Sequence, residues 1–307
     1  MQNSETIRKE IYEIANELEE RKFKVIIYDS IRSCFDILAG IMEDIFIIKV
    51  FEFVEALNKE NAYELKTLSN YLSAIPFIIS KRSKSSILND DVVYFRYEIP
   101  VVTKNLFINI IDKNFPFIYA VRGNYCMDID IRIFNNIKKN LNLTLEDIAE
   151  QLNVSTQAVY RYEKLGRIPA NLADKFVKIF GNEILKKKIE KKESESIYIN
   201  ERKANYEITK KIFQLGLNAW EGKSAFNVFT KIMKEEKGNL FIIIGRDPRT
   251  FEKKINLVEE TIEIIPGNYL CVGKRKCLKT SKFLSEEDIK KIDTTEKFIE
   301  IIESLTN

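Results

Sequence analysis

The chain has 307 residues, 45% of them hydrophobic, and a formal net charge of only +3. It is long enough for two or three buried cores, and no run reaches the ~18 apolar residues of a membrane span. With no histidine in the chain, His-dependent triads and His-ligated zinc are excluded, and catalysis would fall to carboxylates and lysines, with a hard metal such as Mg²⁺.

In chain order, Ile7, Ile11, Ile14, Ala15 and Leu18 mark an amphipathic first helix. The N-terminus alternates charge with apolar residues and has no secretory core, so a cytoplasmic location is expected. FKVIIYD (23–29) reads as a buried strand, and SCFDILAGIMEDIFIIKV (33–50) as two further apolar runs. A helix around 60–74, strand PFIIS (76–80), the run VVYFRYEIPVVT (92–103) and a helix from Lys104 follow. Helices alternating with short β-branched runs indicate an α/β layer. Gly123 and Asn124, within Arg122–Tyr125, mark a tight turn, so a β-hairpin or wing is expected over about 116–130.

Residues 131–181 change character. IRIFNNIKKNL (131–141) predicts a helix with Ile133, Phe134, Ile137 and Leu141 inward. Leu145, Ile148, Ala149 and Leu152 form one helical face behind a Thr144/Asp147 capping signal. Asn153 tolerates the left-handed turn that must follow, and Ser155 can cap a second helix. On that helix Val154, Ala158, Val159 and Tyr162 can face inward. Thr156, Gln157, Tyr160 and Arg161 are left outward, where such side chains can reach base edges and phosphates. Pro169 and Gly181 bracket a last helix with Ala173, Phe176, Val177 and Phe180 inward. Between Arg132 and Lys192 stand 13 Lys or Arg against 7 Asp or Glu, so the rest of the chain is net acidic. A local basic surplus suits phosphate binding, although the run from Lys186 to Lys192 also reads as a solvated helix end leading into a linker.

The C-terminal part reads as a second copy of the first. SCFDILAGIMEDIFIIKV (33–50) aligns with SAFNVFTKIMKEEKGNLFIIIG (224–245), IPFIISKRSK (75–84) with GNYLCVGKRK (267–276), and TKNLFINII (103–111) with TTEKFIEII (294–302). Asn227 then stands at the place of Asp36, and Ile244 at the place of Lys49. The clusters Lys81, Arg82, Lys84 and Lys274, Arg275, Lys276 occupy equivalent places and could touch phosphate. Trp220, Phe226 and Phe229 read as core. GRDPRT (245–250) lacks Walker spacing, and Cys34, Cys126, Cys271 and Cys277, without a CxxC pair, read as reduced thiols.

The 143–163 stretch resembles the Cro/phage-repressor helix-turn-helix, with Asn153 where that motif usually has Gly. The first α/β segment resembles the restriction-endonuclease-like, PD-(D/E)XK, fold. In active members an Asp and a Glu-x-Lys hold Mg²⁺ and position the attacking water. Here Asp36 matches the Asp and Lys49 the Lys, but Ile47 replaces the Glu; Glu52, Glu55 and Glu64 are the carboxylates that could reach in from elsewhere. The pair is therefore expected as a degenerate site, an ion pair or a residual nucleic-acid contact.

The whole arrangement resembles archaeal Cro-type transcriptional regulators. The expected fold is α/β plus all-α: an α/β domain over 1–115, a connector over 116–130, a four- to five-helix domain over 131–192, and a second α/β domain over 200–307. The resemblance implies a homodimeric regulator of double-stranded DNA that is not an enzyme and needs no metal or cofactor, with a protein or small molecule as a conceivable effector. Its candidate DNA-binding residues are Thr144, Ser155, Thr156, Gln157, Tyr160, Arg161 and Lys164, with Gln157 for adenine and Arg161 for guanine. The competing class is an Mg²⁺-dependent, structure-specific nuclease targeted by the helix pair.

Overall fold

The computed structural model describes residues 2–114, 118–121, 123–186, 204–232, 238–245, 248–273 and 280–306. The chain forms two compact units: residues 1–52, 56–78 and 193–307 make one, and residues 53–55 and 79–192 make the other.

The first unit begins with α1 (Gln2–Glu20), whose Ile11, Ile14, Ala15 and Leu18 are buried. Strands β1 (Lys24–Ile27), β2 (Ile37–Ile41) and β3 (Asp44–Val50) follow, each antiparallel to the last, and Ile37 pairs with Ile48. Asn58 caps α2 (Lys59–Leu72) by accepting the Asn61 amide, and Ser73 ends that helix in the left-handed conformation at φ 54°. β4 (Ile75–Ile79) completes the order β1-β2-β3-β4.

In the second unit, β5 (Val92–Arg96) and β6 (Ile99–Val102) form a hairpin. The sequence predicts one apolar run here, but Tyr97 and Glu98 both take positive φ, 51° and 67°, and reverse the chain. This is the pattern of a primed turn, made without the glycine or asparagine that normally announces one. Thr103 caps α3 (Lys104–Ile111). β7 (Ile118–Val121) and β8 (Asn124–Ile129) form the expected hairpin, with Gly123 at φ 83°; Arg122 lies outside the described residues. Four helices follow: α4 (Ile131–Asn140), α5 (Leu145–Leu152), α6 (Thr156–Leu165) and α7 (Ala173–Phe180). Pro169 does not open α7. It closes a short strand, β9 (Arg167–Pro169), and a 3₁₀ turn over Ala170–Leu172 precedes the helix. β9 and β10 (Leu185–Lys186) both pair with β8, which fastens the helices to the hairpin.

The chain then returns to the first unit with α8 (Glu207–Gln214), β11 (Ala219–Glu221), β12 (Val228–Lys231), β13 (Asn239–Ile244), α9 (Pro248–Ile264) and β14 (Asn268–Gly273). β15 (Phe283–Ser285), α10 (Glu286–Lys290) and α11 (Thr295–Thr306) end it. The order helix, three strands, helix, strand is that of α1 to β4, and β11, β12 and β13 are again successively antiparallel. Packing is reciprocal. α9 lies on β1 and β2, where the Tyr28 and Thr261 hydroxyls share a buried hydrogen bond and Lys24 lies 3.4 Å from Glu263. α2 lies on β11, where Trp220 Nε1 donates to the Glu64 carbonyl at 3.2 Å, and Tyr71 meets Phe229 on β12 edge to face. Trp220, Phe226 and Phe229 are fully buried core residues.

Candidate nucleic-acid interface and ion-pair site

The four helices enclose one core: Phe134 of α4, Ile148 and Leu152 of α5, Val159 of α6, and Phe176 and Phe180 of α7 are all fully buried, together with Met127 and Ile129 of β8. Tyr162 adds an edge-to-face contact with Phe176. The alternation of these apolar positions with charged ones makes the segments helical, and the caps set their ends. Asp130 caps α4 by accepting the Arg132 amide at 2.8 Å and lies 3.2 Å from Lys186. Thr144 and Asp147 close a reciprocal capping box on α5.

The turn after α5 depends on Asn153, at φ 56° and ψ 53°, whose amide donates to the Ala149 and Glu150 carbonyls. Ser155 caps α6 by accepting the Ala158 amide at 3.2 Å. Ala158 and Val159 are buried and Val154 and Tyr162 half-buried, whereas Gln157, Tyr160, Arg161 and Lys164 are exposed. Those four positions follow i, i+3, i+4, i+7 and so share one face of α6. Thr156, expected among them, is half-buried. Gln157, Arg161 and Lys164 make no hydrogen bond or salt bridge among the described residues. The one acid of α6, Glu163, is neutralised by Lys138 of α4, which leaves the exposed face cationic.

Thr144, one of the candidate DNA-binding residues, stands at the N-cap of α5. Its amide and its hydroxyl both donate to Asp147 Oδ2, at 2.8 and 2.7 Å, and these bonds hold the Asp147 carboxyl below the usual carboxylate range. Glu146 also stands in the first turn of α5, where acidic side chains complement the helix dipole.

Behind α6 the chain is clasped to the hairpin. Gly166, at φ 61°, ends the helix, and its carbonyl accepts the Ile129 amide. Arg167 then lies 3.4 Å from Asp128 and over the Tyr119 ring, while Tyr119 donates its hydroxyl to Asp128.

In the first unit, Asp36 and Lys49 meet. Lys49 Nζ lies 2.6 Å from Asp36 Oδ1 and donates to the Ser33 carbonyl, and the Val50 amide donates to Asp36 Oδ2 at 2.8 Å. Both side chains are largely buried, at 22% and 16% exposure for Lys49 and Asp36. Of the three carboxylates that could substitute for Ile47, Glu64 lines a cavity with Lys49, whereas Glu55 instead accepts the Lys84 amide at 3.0 Å. Both Asp36 oxygens are engaged and Ile47 is fully buried. Among the described residues no three His, Cys, Asp or Glu side chains are grouped to hold a metal ion. The residues as placed therefore do not fit an Mg²⁺ site.

The second half repeats this geometry with different chemistry. The Asn227 amide donates to Ile242 as the Asp36 amide donates to Ile48, and Asn227 Oδ1 accepts the Ile244 amide as Asp36 accepts that of Val50. This pairing places Ile243, not Ile244, opposite Lys49, a shift of one residue that exchanges strand faces. A lysine still reaches the site from α9: Lys254 Nζ donates to Asn227 Oδ1 at 2.8 Å and to the Ile244 carbonyl at 3.2 Å. Burial lowers its basicity. No sequence signal marked Lys254, which is 27 residues from Asn227 in the chain. Lys274, Arg275, Lys276 and Cys277, and Lys187 to Lys192, lie outside the described residues; of GRDPRT, residues 246–247 do too.

The molecule thus combines a mixed α/β fold, carrying an Asp–Lys pair at a strand crossing, with a separate helical module exposing a cationic helix face. Residues 6–116 match the PD-(D/E)XK superfamily domain. That match overturns the expectation that the chain is not an enzyme, since the superfamily points to nuclease activity. The chain is 37% identical over 144 residues to a protein of Methanothermobacter thermautotrophicus, an alignment spanning 46% of each chain. It is 27% identical over 288 residues to one of Methanocaldococcus jannaschii, spanning 89% of this chain and 90% of that one, and 26% identical over 280 residues to one of Archaeoglobus fulgidus, spanning 88% of both. Each of these relatives is named "Putative HTH-type transcriptional regulatory protein". No solved structure matches the chain. Among the described residues no helix is long and apolar enough to cross a membrane.

Proposed function

We propose that the protein is a cytoplasmic, sequence-specific regulator that binds double-stranded DNA as a homodimer through a Cro-type helix-turn-helix. The observation that carries this reading is the face of α6: Gln157, Tyr160, Arg161 and Lys164 project together, and no hydrogen bond or salt bridge within the described residues engages Gln157, Arg161 or Lys164. The relatives' printed name supports it. In this reading α6 enters the major groove, Gln157 contacts adenine, Arg161 contacts guanine, and Tyr160 and Lys164 reach flanking phosphates. Ser155 and Thr156 at the start of α6, with Thr144 at the start of α5, contact the DNA backbone. A dimer places two such helices about 34 Å apart on a near-palindromic operator.

We further propose the domain limits 1–115, 116–130, 131–192 and 200–307, with the last α/β domain a copy of the first; the recurring element order and the Asp36 and Asn227 geometries support the copy. Selection of bound duplexes from a random pool, with wild type and Gln157→Ala, tests the function. Wild type should enrich a two-fold symmetric site, and the variant should relax preference at one or two positions. Steep salt dependence without any enriched site would reduce the reading to non-specific binding.

A second reading, an Mg²⁺-dependent nuclease targeted by the helix pair, is favoured by the superfamily match alone, since Asp36, Lys49 and Glu64 as placed do not complete a metal site. It predicts cleavage of linear, branched or supercoiled DNA with Mg²⁺ or Mn²⁺ that is lost in Asp36→Ala. No cutting of any of the three would eliminate it.

A further inference from the structure

A cavity of about 240 Å³ opens beside the Asp36–Lys49 pair and is closed by the second half of the chain. The loop between β1 and β2 supplies Arg32 and Ser33, β3 supplies Lys49, α2 supplies Asn61 and Glu64, and the loop between β11 and β12 supplies Lys223. The join is tight. The Lys223 amide donates to Glu64, the Cys34 amide donates to the Lys223 carbonyl at 2.7 Å, and Gly222 leaves no room for a Cβ between Glu64 and Trp220.

The charges around this cavity are unevenly satisfied. Glu64 is the one carboxylate in the lining, and its Oε1 already accepts the Lys223 amide. Desolvation raises its pKa, against the opposing pull of the Lys223 amide and of the Lys223, Arg32 and Lys49 charges. Asp36 lines only the neighbouring cavity and has both oxygens occupied. On the cationic side, the Arg32 guanidinium, the Lys223 ammonium and the Asn61 amide group make no hydrogen bond or salt bridge among the described residues. Lys49 stands behind them, and a second cavity of about 450 Å³ shares Arg32, Ser33 and Lys49 across the loop. With Lys49 paired to Asp36, the two remaining cations, Arg32 and Lys223, outnumber the one carboxylate, Glu64, and an arginine fork with a lysine on the same lining suits a phosphate group. The volume lies just below the usual range of pockets for drug-sized ligands.

We propose that this cavity binds a small phosphate-bearing anion, gripped by Arg32 and Lys223 with Asn61, so that the second half of the chain completes a ligand site on the first. The site is independent of the α6 face, and its failure would leave the DNA-binding reading untouched.

Titration calorimetry of the full chain with inorganic phosphate and with pyrophosphate, at constant ionic strength in chloride, is the test. One anion per chain should bind, with a matching rise in Tm. Arg32→Ala and Lys223→Ala should each weaken binding about tenfold, the loss expected for one charge-assisted hydrogen bond, and Arg161→Ala should bind as wild type does. Arg32 is exposed and Lys223→Ala keeps the backbone amide, so both variants should fold, which circular dichroism would verify. The proposal fails if neither anion binds at millimolar concentration, if both variants bind normally, or if Arg161→Ala loses the anion. It fails equally if oligonucleotides bind through Arg32 while phosphate and pyrophosphate do not.

Discussion

Arg161→Ala separates base reading from general attraction to DNA. The guanidinium is exposed and makes no hydrogen bond or salt bridge among the described residues, and α6 is held by Val159 and Ala158 on its other face. Removing it should therefore change folding stability by no more than about 0.5 kcal/mol, as for an ordinary surface position. A bidentate arginine–guanine pair is worth about 1–3 kcal/mol of discrimination. At about 1.4 kcal/mol per tenfold, Kd for the selected duplex should rise roughly 5- to 150-fold. The loss should vanish on a duplex already lacking that guanine. Lys164→Ala, a phosphate contact, should weaken all duplexes alike and reduce the salt slope by about 1. Fluorescence anisotropy on matched and mismatched duplexes at two salt concentrations, with a thermal melt of each variant, measures all of this. Unchanged affinity of Arg161→Ala on the selected site, with the fold intact, would refute the assignment of α6 as the reading helix.

Other substitutions probe the scaffold. Asn153→Gly should match or slightly exceed wild type in Tm, whereas Asn153→Val should cost about 1–2 kcal/mol, because a β-branched residue resists the left-handed φ of 56°; equal melting of the two variants would show that the turn is not constrained. Asp36→Asn should be tolerated better than Asp36→Ala, since asparagine can still accept the Val50 amide as Asn227 accepts that of Ile244. Both variants remove the Lys49 counter-ion, but only alanine also leaves the Val50 amide without its acceptor, at about 1–3 kcal/mol more, and chemical denaturation would read the difference. Desolvation first, then Glu259, pushes the Cys271 thiol up to about 12. A thiol reagent at pH 8 should therefore miss Cys271 until guanidinium unfolds the chain. Because the folded value is the higher one, this group's contribution to stability is complete below the ordinary thiol pKa of about 8.5 and is lost as pH rises toward 12. Rapid labelling of the native protein at Cys271, located by mass spectrometry, would contradict that burial.

The helical module was legible because its information is local. Period 3.6 places Phe134, Ile148, Leu152 and Phe176 inward, and Thr144, Ser155 and Asn153 mark the helix ends by chemistry that acts within four residues. The β5–β6 reversal was not legible, since Tyr97 and Glu98 carry no turn signature. The likeness of the two halves was legible but its register was not, because apolar runs such as FIIKV and FIIIG can slide by one residue and still match. The exclusion of enzymatic activity failed for a related reason. It rested on one missing carboxylate in one tripeptide, whereas the match to the PD-(D/E)XK superfamily domain extends over residues 6–116.

What the sequence determined by itself is most of the α6 face: helical spacing places Gln157, Tyr160 and Arg161 away from the core, and they are exposed, while Thr156, expected with them, is half-buried. What only the tertiary structure decided is the company kept by Asp36 and Lys49. Glu64, Lys223 and Lys254 reach the two strand crossings from elements distant in sequence, and those meetings depend on how α2 and α9 lie across the opposite halves of the sheet unit. Periodicity fixes direction around a single axis. It carries no information about which distant loop will close over that axis, because long-range contacts are set by the packing of whole elements.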